Sequence, residues 1–167
     1  EIPQEFLEYL QNERQSEGKG ASDPPFLLEL CHYEWVELDL DLAPETLGER
    51  AFAEDVLSAQ MLVSPLARSL VYQFPVHQIG PAHQPEQAPA NPTYLIVYRN
   101  RADGIRFMES NVVTARLLQL LAEEPTAGDA LDKIAGETGR PVNAVRESGT
   151  KILADLIDRD IITPVVE

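Results

Sequence analysis

The chain has 167 residues, of which 44% are apolar and 25% charged, so it can bury a core and is not expected to be disordered. Its formal net charge is −15, and residues 1–60 carry fifteen Asp and Glu against three Lys and Arg, which argues against a duplex-DNA surface built on clustered basic residues. No stretch approaches the roughly 18 apolar residues of a membrane span, and the start lacks the pattern of a secretory signal peptide.

Residues 1–79 are predicted to form an acidic, helical and extended region. A helix is expected from Pro3 to about Gln15, followed by a loop rich in Ser and Gly that ends at Pro25. A second helix should begin at the proline pair and end at Pro44. Its apolar residues recur at spacings of three and four and predict one buried stripe, made of Leu27, Cys31, Trp35, Leu38 and Leu42. A short helix is predicted near residues 49–57, and the prolines at 65 and 75 indicate irregular extended chain between Met61 and Ile79.

Residues 80–92 contain four prolines and few apolar side chains, so they are predicted to be a semi-extended linker between two domains.

Residues 93–167 carry the clearest pattern of the chain. Strands are predicted at Thr93–Tyr98 and Ile105–Glu109, joined by a five-residue turn that contains glycine. Asn111 can cap a helix that runs to about Glu123, and Thr126 opens a short second helix that Gly139 ends. A third helix starts at Pro141, and a strand at 161–166 closes the chain. A hairpin, three helices and a strand are the order of a small winged-helix domain, so the predicted fold class is α+β.

Residue types that perform catalysis are scarce. The three histidines lie far apart, no His-x-x-x-His pair exists, and no glycine-rich phosphate loop is present. Cys31 is the only cysteine, so it cannot form an internal disulfide, which fits a reducing cytoplasm. We interpret it as a small apolar residue, because the adjacent His32 points elsewhere on a helix. A nucleophilic pair of Cys31 and His32 is the enzymatic alternative. We expect a non-catalytic protein with no cofactor or metal of its own.

The strand at 93–98 is apolar on both faces. Tyr94, Ile96 and Tyr98 point to one side while Leu95 and Val97 point to the other. A hairpin covered by helices on one side only should alternate apolar with polar residues. The second face must therefore be covered by the chain itself, by a partner or by a docked ligand. A free edge of such a hairpin can also accept an extended peptide as an added strand.

The three predicted helices also resemble a helix-turn-helix, an arrangement that is typical of DNA-binding proteins. The third helix region carries four basic residues and four acidic ones, whereas a helix that presses against phosphates should be biased positive. A DNA-binding transcriptional regulator is therefore the alternative function and not the leading one.

Three segments resemble a bacterial family: PFLLELCHYEWVELDL at 25–40, VSPLARSLVYQFPVHQIG at 63–80 and PTYLIVYRNRADGIRFMESNVVTARLLQLL at 92–121. They are similar to the HvfC-type proteins of peptide-natural-product maturation, which have long been described as containing a DNA-binding domain. Members usually carry a helical domain before this region. Because the chain also begins at Glu1 and not at Met, we expect it to be a fragment.

The resemblance implies a partner that binds a ribosomally made precursor peptide and an iron-dependent enzyme, with the iron held by the enzyme. It implies that the peptide lies along the hairpin edge and against the third helix. The residues expected to bind the peptide are Tyr94, Leu95, Ile96, Val97, Tyr98, Arg106, Met108, Val145 and Lys151. Those expected at the enzyme interface are His32, Trp35 and His77.

Overall fold

The structure is a computed structural model that describes residues 23–165. The helix predicted at Pro3–Gln15, and most of the loop after it, lie outside the described residues. The described elements, in chain order, are α1 (Leu27–Leu42), β1 (Met61–Val63), β2 (Ala67–Tyr72), a short 3-10 turn (Val76–Gln78), β3 (Thr93–Arg99), β4 (Ile105–Glu109), α2 (Val112–Glu123), α3 (Ala127–Thr138), α4 (Val142–Asp158) and β5 (Ile162–Pro164).

Helix α1 begins just after the proline pair and ends before Pro44, as predicted, but it buries a different face. Its buried residues are Tyr33, Val36 and Leu40, whereas Leu38 is 42% and Leu42 71% exposed. The stripe predicted from Leu27 to Leu42 is thus the outer, partly exposed side. Both stripes satisfy helical spacing, and the one that faces the sheet is buried.

Strands β2, β3 and β4 form one antiparallel sheet with β3 in the centre. Ala67 pairs with Tyr98 at one end of the β2–β3 ladder, and Tyr72 pairs with Thr93 at the other. Residues 80–92 therefore connect two neighbouring strands of one sheet. This corrects the prediction that they divide the chain into two domains, because the main-chain hydrogen bonds of β3 need β2 as their partner.

The two apolar faces of β3 are covered by the protein itself. Ile96 and Tyr98 pack into a core with α2, α3 and α4, and Leu95 and Val97 pack into a second core with α1 and β2. Of the three explanations for the two-sided pattern, the chain's own cover is the one that the structure bears out.

The winged-helix order of a hairpin, three helices and a strand is confirmed. The Asn111 side chain accepts hydrogen bonds from the backbone N–H groups of Val113 and Thr114 and so caps α2. Gly139 ends α3 with a φ of 66°, a left-handed conformation that favours glycine. Strand β5 then pairs with β1, and the two strands form a second, smaller sheet.

The segment between α1 and β1 is irregular, so the short helix predicted near residues 49–57 is wrong. Side chains from the hairpin hold it in place: Arg99 donates to the carbonyl of Glu45, and Arg101 donates to the carbonyl of Gly48. The segment is thus tied to the rest of the fold by tertiary contacts and not by local helical bonds.

Among residues 23–165, no helix is both long and apolar enough to cross a membrane.

Candidate functional site

Strand β4 leaves its outer edge free. The backbone N–H of Ser110 donates to the carbonyl of Tyr94 at 2.8 Å, and that of Asn100 donates to the carbonyl of Gly104 at 3.1 Å. Because inward and outward groups alternate along an antiparallel ladder, residues 105, 107 and 109 direct their backbone groups away from β3. Within the described part of the chain, the outward groups of Phe107 and Glu109 have no partner. This edge can accept a further strand.

A groove runs beside the C-terminal half of β4 and separates it from α4. Its volume is about 350 Å³. The floor is apolar, since Met108 and Ile152 pack against the helical core. The residues that line the groove are Met108, Glu109, Ser110, Asn111, Thr114, Lys151, Ile152 and Asp155.

The charged residues of the groove differ in how firmly they are held. The Lys151 ammonium lies 3.6 Å from the carboxylate of Glu147, and both side chains are more than three-quarters exposed, so solvent screens this pair. Asp155, in contrast, accepts a bifurcated hydrogen bond from the Nε–H of Arg159, at 2.9 and 3.0 Å from its two carboxylate oxygens. The lysine is therefore the cation most available to a bound molecule.

On the opposite face of the sheet, His77 contacts two residues of the β4 edge, Glu109 and Phe107. Its side chain is 4% exposed, and its Nε2 lies 2.8 Å from the Oε1 of Glu109. The His77 and Phe107 rings are 5.3 Å apart. These contacts fix the Glu109 carboxylate on the α1 side of β4, away from the incoming path of a strand.

The other edge of the sheet, along β2, is partly closed at both ends. The N–H of Ala67 donates to the carbonyl of Ser64 at 3.1 Å, and an Arg68 guanidinium N–H donates to the carbonyl of Ala67 at 3.2 Å. Beyond the strand, the N–H groups of Gln73 and Phe74 donate to the Glu29 carboxylate, each at 2.9 Å. The β4 edge combines open backbone groups with an adjoining groove.

The family model described as the HvfC C-terminal domain matches residues 64–157. The chain belongs to the HvfC family. The match spans β2, β3, β4, α2, α3 and almost all of α4, and so it includes both walls of the groove. A comparison with curated proteins found no match.

In this HvfC fold, the residues predicted to bind a peptide separate into two groups. Leu95, Ile96 and Val97 are each 0% exposed, Tyr98 is 5% and Val145 is 4% exposed. They form the protein's own cores, which corrects their assignment as contact residues, and both borders of β3 are paired. Tyr94 is half-buried at the start of the same strand. The second group consists of Met108 and Lys151, which line the groove, and Arg106, an exposed residue of β4 outside that lining.

The residues predicted at the enzyme interface also separate. His32 and Trp35 lie together on α1 with ring centroids 5.8 Å apart. The Nδ1 of His32 lies 2.8 Å from the Tyr72 hydroxyl, and burial lowers the pKa of His32, although Glu29 opposes this. His77 belongs instead to the β4 edge and is shielded there by its neighbours.

Two observations bear on the alternative functions. Burial, followed by the charge of Glu34, raises the pKa of the Cys31 thiol, which lowers the thiolate fraction that a nucleophile requires. On α4, Arg146 donates two hydrogen bonds of 2.7 Å to the carboxylate of Asp132, so this cation is not free to meet a phosphate.

The structure adds Phe107 at the β4 edge and two groove residues, Ser110 and Ile152, that the sequence pattern did not single out. A signal for Phe107 was present in Ile105–Glu109, where polar and apolar residues mix, unlike the continuous apolar run of β3. Such mixing is typical of an edge strand that faces solvent. Across residues 23–165, no group of three or more His, Cys, Asp or Glu side chains is arranged to hold a metal ion.

Proposed function

We propose that this HvfC protein is a non-catalytic, cytoplasmic subunit that binds a ribosomally made precursor peptide and brings it to an iron-dependent modifying enzyme. The observation that carries the proposal is the free outer edge of β4 next to the groove of α4. A peptide added to this edge would be the fourth strand of the sheet.

The backbone of β4 supports this mode of binding. Phe107 and Glu109 each offer one N–H and one C=O toward the edge, so an added strand can form up to four main-chain hydrogen bonds with these two residues. Such bonds are made to any sequence and supply affinity. The side chains of the peptide would supply specificity, since alternate ones face the groove and the others face Phe107.

The outer side of α1 is the surface that we propose for the enzyme. It carries the apolar stripe of Leu38 and Leu42, which are exposed, beside the half-buried Trp35. Leu38 and Leu42 are four residues apart and so are neighbours on the helix surface, and contiguous exposed apolar patches mark protein interaction sites. Because α1 covers the face of the sheet opposite the groove, the enzyme and the peptide would not compete for one surface.

The direct test of peptide binding is a titration of the precursor peptide encoded beside the gene for this chain, with fluorescence anisotropy as the readout and with and without the partner enzyme. Saturable binding is expected. If the peptide fails to bind in both conditions, the proposed function is rejected.

The proposed enzyme surface has its own test. A Leu38→Glu and Leu42→Glu double variant should fold, because both side chains are exposed, and should lose co-purification with the iron enzyme while it still binds the peptide. Wild-type co-purification by this variant would exclude the α1 surface.

A titration with duplex DNA distinguishes the proposed function from that of a transcriptional regulator. A DNA-binding protein should show affinity that falls steeply as salt is added, because phosphate contacts release counterions. We expect no such binding, and a steep salt-dependent DNA affinity would favour the regulator.

A further inference from the structure

The end of the groove holds a hydroxyl without a partner. Ser110 directly follows β4, and its Oγ is buried and has no hydrogen-bond partner among the described residues. Ser110 also lines the groove. A buried hydroxyl left without a partner destabilises the protein. A bound molecule that hydrogen-bonds to Ser110 would remove this cost, which gives the unpaired hydroxyl a role in binding.

Other groups near this hydroxyl are also donors. The Oδ1 of Asn111 accepts from two backbone N–H groups at 3.0 Å each, so the carboxamide N–H₂ of Asn111 is left to donate elsewhere. The N-terminus of α2 begins here, where the helix dipole favours negative charge. The exposed Lys151 ammonium stands on the opposite wall.

The two carboxylates that line the groove, Glu109 and Asp155, have partners other than these donors, and Glu147, outside the lining, forms an exposed pair with Lys151. Asp155 is held by Arg159, at 2.9 Å. Glu109 is held by His77 on the other face of the sheet, at 2.8 Å, with Gln78 at 3.4 Å. The polar end of the groove thus offers a cation and several donors, whereas the end formed by Met108 and Ile152 is apolar.

We propose that this groove selects an acidic side chain of the peptide, with Lys151 and the Ser110 hydroxyl as its partners, and an apolar side chain two positions away on Met108 and Ile152. The inference rests on the proposed function and specifies which peptides it accepts. The two-residue spacing follows from an added strand, because side chains on one face repeat every second residue, about 6.6 Å apart.

Replacement of each acidic residue of the precursor peptide by its amide, one at a time, tests the peptide side of this inference. One replacement should weaken binding about tenfold, as expected for a lost charge-assisted hydrogen bond, and an apolar-to-Ala change two positions away should weaken it as well. If every replacement leaves the dissociation constant within twofold, or if the peptide has no acidic residue in the segment that binds, the inference is overturned.

A charge exchange tests the protein side. Lys151→Glu should weaken binding of the natural peptide, and a peptide with Lys at the sensitive acidic position should recover at least part of that affinity. Lys133→Glu is the matched control, because Lys133 is a surface lysine of α3 that pairs with Glu124 and does not line the groove. Equal effects of the two lysine variants would contradict the assignment.

Ser110→Ala separates a binding role from a structural one. Removal of an unsatisfied hydroxyl should leave the melting temperature unchanged or slightly raised, while peptide affinity falls by at least threefold. Unchanged affinity would remove Ser110 from the site. Failure of the wild-type peptide to bind at all would reject the proposed function together with this inference, whereas binding that is insensitive to all these changes would reject the inference alone.

Discussion

Substitution of Phe107 by proline tests the added-strand geometry directly. The N–H of residue 107 points outward, so proline there removes no β3–β4 hydrogen bond. It does remove a donor that an added strand would use, and its ring lies in the path of that strand. The fold should therefore survive while the edge is blocked.

The magnitude follows from the bond that is lost. One main-chain hydrogen bond contributes about 0.5–1.5 kcal/mol net, which corresponds to about a two- to tenfold change in the dissociation constant at 1.4 kcal/mol per factor of ten. The steric obstruction adds to this, so we expect at least tenfold weaker binding. Phe107→Ala is the matched control, since it removes the same aromatic contact with His77 but keeps the N–H.

The assay combines a thermal melt with peptide anisotropy for three variants. Phe107→Pro and Phe107→Ala should melt within a few degrees of each other. Arg106→Pro should be less stable by about 1–3 kcal/mol, because the N–H of residue 106 faces Tyr98 inside the ladder and its loss leaves a buried acceptor unsatisfied. If Phe107→Pro binds the peptide as tightly as Phe107→Ala does, the peptide does not add to this edge.

Three further predictions concern stability, each measured by chemical denaturation. Arg99→Met should lower the free energy of unfolding by about 2–4 kcal/mol, because the buried guanidinium donates to carbonyls at the end of α1; an unchanged midpoint would contradict this. Gly128→Ala should destabilise by about 1–3 kcal/mol, since the added Cβ would lie 2.9 Å from the Leu57 carbonyl oxygen; a neutral result would mean that the loop moves away. Burial favours a higher pKa for Asp160, but hydrogen bonds from Arg101 and Arg50 outweigh it and hold the pKa below the ordinary value. Asp160→Asn should therefore cost about 2–3 kcal/mol at pH 7, and the difference from wild type should shrink as the pH falls below about 4, through the lowered pKa of the folded state; a difference that is constant between pH 7 and pH 2 would refute the linkage.

Features set by neighbouring residues could be predicted from the sequence. Strand β4 has the bounds that its sequence predicts, because the turn before it and Asn111 after it are local signals. Gly139 likewise ends α3 because glycine readily adopts the left-handed φ that is needed at this position. In each case the physical cause lies within a few positions of its effect.

Features that depend on distant contacts could not be predicted. The buried face of α1 is decided by the sheet against which it packs, and the sequence alone shows two apolar stripes of nearly equal quality. Strands β2 and β3 pair although the proline-rich segment 80–92 lies between them in the sequence. That segment resembles a linker because prolines disfavour regular structure both between domains and within one domain. The Asp160 network with Arg50 and Arg101 joins residues about 60 and 110 positions apart, so no local pattern indicates it.

The two-sided apolar pattern of β3 signals burial and does not mark an edge that could accept a peptide. A strand apolar on both faces belongs in the centre of a covered sheet, and a central strand has no free edge to offer. The edge that we propose for binding belongs to β4, a neighbour that is less apolar, in which Arg106 and Glu109 flank Phe107 and Met108. A sequence search for an added-strand site should therefore favour a strand of mixed composition next to a continuous apolar strand. A later helix with a lysine in the adjoining groove strengthens the case, and α4 provides Lys151 in that position here.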